Sequence, residues 1–134
     1  MKSRDTLVRL RRFQVEEKRR RVAQIETMIA EFGRMAGDLD REIALEEQRA
    51  GISDTSHFAY PTYARAARTR RDNLVRSADE LRGQLADAKA HLDEALEDLA
   101  KIQTLEGREK ADHPAEIQGP NLDMVAVGLR AARA

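Results

Sequence analysis

Three histidines, many carboxylates and a crowded run of arginines are the side chains here that could do chemistry, and their spacing suits binding better than catalysis. His57, His91 and His113 lie far apart in the chain, with none of the short intervals of a zinc or two-histidine site. The absence of Cys removes disulfides, thiolate metal ligands and a thiol nucleophile together. No glycine-rich phosphate loop and no Gly-Lys-Ser/Thr occurs, so the chain is not expected to hydrolyse a nucleotide itself. Carboxylates such as Glu42 and Glu46 recur at helical spacing with Arg49, which describes a solvated ion-pair face. The sequence therefore reads as a non-enzymatic protein with no catalytic, cofactor or metal residues.

Two clusters point to binding. Lys18-Arg19-Arg20-Arg21 comes closely after Arg9, Arg11 and Arg12. Such a run can be a solvated face neutralised by another helix, a contact for phosphate or anionic lipid, or a dock for an acidic protein. The second cluster is aromatic. Phe58, Tyr60 and Tyr63 all fall between Gly51 and Tyr63, whereas Phe13 and Phe32 are the only other aromatic side chains. The three either plug the end of a thin core against Leu45 and Leu74 or form a tip that docks a partner, since Tyr is a common interface anchor.

The elements that position these clusters emerge from composition and period. Of 134 residues, 36% are charged and only 4% aromatic, and the net charge is zero. Long helices paired side by side fit that balance better than a compact two-layer domain. Gly and Pro are sparse up to Ala50, cluster from Gly51 to Pro61, are nearly absent from Thr62 to Glu106, and return with Gly107, Pro114, Gly119 and Pro120. Every seventh residue from Val8 is apolar: Val15, Val22, Ile29, Ala36, Ile43 and Ala50. A companion column has charged ends, Arg11, Lys18 and Glu46, around Ile25, Phe32 and Leu39. The second arm repeats the pattern with Ala78, Leu85, Leu92 and Leu99 beside Ala67, Leu74, Leu81, Ala88, Ala95 and Ile102. A strict seven-residue repeat implies a left-handed supercoil.

Charge decides how the arms pair. Residues 1–21 carry +6, residues 26–47 carry −5, residues 65–76 carry +4 and residues 79–98 carry −5. Folding back near Ser53 to Ser56 opposes unlike blocks, so pairing within one chain is favoured. The expected fold is an all-α, antiparallel two-helix coiled-coil hairpin over 1–112. Its first arm covers about 3–50, its tip about 51–61 and its second arm about 62–106. An irregular or fold-on-binding tail is expected over 113–134, where Met124, Val125, Val127 and Leu129 lie close together. Gly51 is read as the cap that closes the first arm, with Ser53 or Ser56 capping the second. At about 1.5 Å per residue the rod would be on the order of 70 Å long.

The segments Met1 to Leu7, Phe13-Gln14-Val15-Glu16-Glu17-Lys18-Arg19-Arg20 and Gly51 to Tyr63 resemble the flagellar export protein FliJ family of alphaproteobacteria. The resemblance runs from Met1 to about Lys110, and Asn121-Leu122-Asp123 and Gly128-Leu129-Arg130 also look like that family's end, although Gly107, Pro114, Gly119 and Pro120 depart from its charged helix. It implies a stalk-like hairpin in the cytoplasmic part of the flagellar type III export apparatus. The end bearing both termini would meet the hexameric export ATPase, the tip would meet the export-gate membrane protein, and export chaperones would be handled on the way. On this reading Arg9, Arg12, Arg19 and Arg20 belong to the ATPase end and Phe58, Tyr60 and Tyr63 to the gate end. No cofactor and no specific nucleic acid are expected. With no signal-peptide or membrane-span run, a cytoplasmic location is expected, peripheral to the membrane at most. A different reading of the same residues is a coiled-coil scaffold that binds nucleic acid or anionic membrane through residues 9–21.

Overall fold

Two long helices and one turn make up the structure, a computed structural model in which residues 2–112 are described. Helix α1 spans Lys2–Ala50 and α2 spans Thr62–Asp112. The helices lie antiparallel along their length, because Val8 and Val15 share a cluster with Ala95, Leu96 and Leu99 while Leu39 and Ile43 share one with Ala67. The all-α hairpin expected from the heptads is the observed fold. Helix α2 runs on through Gly107 to Asp112 instead of stopping near 106. A lone Gly costs only about 1 kcal/mol against Ala, and the Glu, Arg and Lys around it are good helix formers. The expected tail, with its Met124 to Leu129 segment, lies outside the described residues.

The core is thin and divided. Val8, Val15, Ala95, Leu96 and Leu99 form one buried cluster near the chain ends. Ile25, Leu81 and Ala88 form a second, flanked by Val22, Ile29, Phe32 and Leu85. Leu39, Ile43 and Ala67 form a third, with Leu74 packed against it. Nearly all are predicted seam residues. Leu96 is an addition from outside both columns, and Ala50 is an exposed exception where the arm ends. The first and second clusters part at Lys18, an exposed seam residue; between the second and third the buried positions are only Ala36 and Ala78.

The two flanks of the seam differ. On one, Arg68 reaches Glu47 at 3.0 Å and Arg71 reaches Asp40 at 2.7 Å across the helices. On the other, Arg21 meets Gln84 at 3.5 Å, Tyr63 meets Glu42 at 3.1 Å and Arg11 lies 3.9 Å from Asp98. Shallow grooves run along this second flank, floored by Ala88 and Ala95 and edged by Lys18 and His91.

Candidate functional site

The tip is built from the backbone outward. Gly51 ends α1 at φ 70, the left-handed geometry that suits glycine. Its N–H donates to the Gln48 carbonyl at 3.3 Å and the Ile52 N–H donates to the Glu47 carbonyl at 3.2 Å, the paired bonds of a Schellman cap. Neither Ser53 nor Ser56 caps α2. Ser56 instead donates through its N–H and its hydroxyl to Asp54 Oδ1, at 3.0 and 2.7 Å, and holds that carboxyl below its usual range. Pro61 precedes the helix, and its carbonyl accepts the Arg65 N–H at 3.0 Å. Proline suits this entry because its fixed φ is already close to helical and it lacks an N–H that the first turn would leave without a partner.

A polar knot then fastens the turn to both helices. Tyr60 is 4% exposed. Its hydroxyl donates to Glu47 Oε2 at 2.7 Å and accepts from Arg68 Nε at 2.8 Å, while Arg68 also reaches the same carboxylate oxygen at 3.0 Å. The hydrogen bonds from Tyr60 and then Arg68 pull the Glu47 carboxyl below its usual range. Arg65 and Arg68 lie over the Tyr60 ring at 5.3 and 5.9 Å from its centre, and Arg65 ties back to the Thr55 carbonyl at 3.0 Å.

Of the three aromatic side chains assigned to the tip, the structure separates the roles. Tyr60 is the plug. Phe58 is 96% exposed and stacks only on His57, with ring centres 4.9 Å apart. Tyr63 is half exposed on the flank, and its hydroxyl donates to Glu42, whose negative charge raises the phenol above its ordinary value. Leu45 is half exposed and lies outside the three buried clusters. Leu74 packs against the third core cluster.

The other end of the rod has the opposite character. Arg19 pairs with Glu16 at 3.1 Å and Arg20 with Glu17 at 2.8 Å, both one turn back on the same helix. Neutralisation by the acidic block of α2 is slight: among the described residues Arg11 alone of this cluster lies near a carboxylate of α2, Asp98 at 3.9 Å, and Arg21 meets Gln84 rather than a carboxylate. A glutamate three residues away simply reaches first. Arg11 donates to Gln14 at 3.1 Å and keeps its Nε buried without a partner. Arg9 and Arg12 are exposed and make no side-chain hydrogen bond or ion pair among the described residues. Beside them Leu10 and Phe13 are 48% and 59% exposed.

No protein family model, characterised protein or solved structure matches this chain. Function must therefore be argued from the two ends. Among the described residues no group of His, Asp or Glu is arranged to hold a metal ion, and no helix is long and apolar enough to cross a membrane. Sequence reasoning does not find Glu47, Arg65 and Arg68 as tip residues. A signal for Tyr60 existed, because it stands seven residues before Ala67 and so continues the buried column of α2.

Proposed function

We propose that the chain is a non-enzymatic, stalk-like adaptor of the flagellar type III export apparatus, with one end for the export ATPase and the other for the export gate, handling export chaperones in passing. The observation that carries this reading is the pair of unlike ends on one rod. An exposed Phe58 sits on a turn fixed by Tyr60, Glu47 and Arg68, and Arg9 and Arg12, without a side-chain partner among the described residues, sit at the opposite end beside exposed Leu10 and Phe13. An apolar side chain held out on a rigid turn loses little freedom on docking, so it suits an anchor for a partner's apolar pocket. Two exposed guanidiniums beside apolar side chains suit an acidic protein surface. Arg19 and Arg20, already paired to their own glutamates, are less available than their sequence suggests, and Tyr60 serves the gate end by holding Phe58 in place.

Binding measurements with purified partners test it. Phe58→Ala should weaken capture by the gate's cytoplasmic part at least tenfold and leave ATPase binding unchanged, and the double change of Arg9 and Arg12 to Ala should do the reverse. If the chain binds random duplex DNA or anionic vesicles as tightly as it binds the ATPase at physiological salt, the scaffold reading over residues 9–21 replaces the adaptor.

A further inference from the structure

The grooved flank carries a strip at seven-residue spacing on α1: Arg21, Met28, Met35 and Glu42. Met28 and Met35 are 40% and 42% exposed, large apolar side chains left in solvent along the middle of a rod whose core is thin. Arg21 makes only the long hydrogen bond to Gln84, and Glu42 only accepts from Tyr63; neither has an ion-pair partner among the described residues. The strip reads as basic, apolar, apolar, acidic. Turned end over end, it meets its own complement: Met28 falls opposite Met35 of a second copy, and Arg21 opposite Glu42, each contact made twice. Self-complementarity of that kind is the condition for a two-fold contact between identical chains. The opposite flank has no such strip, because Glu47 and Asp40 are already committed to Arg68 and Arg71.

We infer that two copies of this chain associate antiparallel along α1, through Met28, Met35, Arg21 and Glu42. The axis passes midway between Met28 and Met35, so the two Phe58 tips point to opposite ends of the assembly, about 60 Å apart at 1.5 Å per residue. The contact is narrow and partly ionic. It is therefore a weak, salt-sensitive dimer rather than an obligate one. Methionine suits such a face, since its flexible thioether packs against a copy of itself without demanding one geometry. This inference stands apart from the adaptor function, which uses the two ends and not the middle flank.

Charge exchange between chains tests it. The full chain at about 0.5 mM, where a small interface becomes populated, should sediment as a monomer–dimer mixture that shifts to monomer in about 1 M salt. R21E alone and E42R alone should each lower the association constant at least tenfold, with helicity unchanged by circular dichroism. Mixing the two variants should restore the dimer, because each then offers the charge the other lacks. On one helix these positions stand about 30 Å apart, so such rescue can come only from a second chain. Since the chain has no native cysteine, M28C mixed with M35C should form a mixed disulfide faster than either forms its own. A wild-type chain that stays monomeric, a mixture no more associated than its parts, or M28C coupling chiefly to itself would each overturn the inference.

Discussion

The tip and the opposite end of this hairpin are held by different forces. At the tip, apolar burial is slight, and a cap, a tyrosine and a shared carboxylate fix the turn. At the end near residue 8, Val8, Val15, Leu96 and Leu99 bury side chains, while Arg9 and Arg12 have no side-chain partner among the described residues and Arg19 and Arg20 pair within their own helix. Polar fixation gives one geometry and depends on every partner being present. Apolar fixation tolerates sliding and leaves charge free to act elsewhere. On the proposed adaptor reading, this division would present a shaped anchor at one end and a charge at the other.

The largest expected effect that would break the contrast is Tyr60→Ala. It removes the plug and two of the knot's three hydrogen bonds, leaving only the direct Arg68–Glu47 pair, and should cost about 3 kcal/mol in thermal unfolding followed by circular dichroism. Ile25→Ala, at the only fully buried large side chain among the described residues, should cost a similar amount with no change at the tip. A tip dominated by apolar packing would instead make Tyr60→Phe silent; the loss of the hydroxyl should cost about 1 kcal/mol.

Acid should separate the ends next. The Glu47 carboxyl titrates below its usual range in the folded chain. Its contribution is therefore complete above the ordinary carboxylate value and fades as pH falls through the lowered one. The stability difference between wild type and Glu47→Gln should shrink steadily across that acid window and stay constant above it. A difference that grew on acidification would contradict the knot. Smaller still, Gly33→Ala should stabilise by about 1 kcal/mol, since an added Cβ there meets nothing within 4 Å in an exposed helix interior. Smallest of all, Phe58→Ala and Arg12→Ala should each change stability by less than about 0.5 kcal/mol, which lets their binding defects be read without a folding term.

The fold was legible because a seven-residue period survives for many turns and needs no knowledge of distant residues. Val8 to Ile43 and Ala67 to Ile102 could be laid on a seam by counting, and the opposed charge blocks gave the direction of pairing. The tip was legible in place but not in role. Which of three aromatic side chains turns inward depends on the angle at which the chain enters α2, and that is set by Gly51 and Pro61 together. The arginine run misled for a different reason. Block charges describe what faces what, whereas Arg19 and Arg20 are claimed by Glu16 and Glu17 at short range before any residue of α2 can compete. Length misled at Gly107, where helix-forming neighbours outweighed one glycine.

The division of the core into three clusters has a mechanical consequence. Where only Ala36 and Ala78 are buried, between the second and third clusters, little side-chain volume interlocks. A twist applied at one end of the hairpin would be partly absorbed at this slender waist, as at the break beside Lys18. The tip, pinned by the Tyr60 knot, would turn as a unit once the waist had wound up.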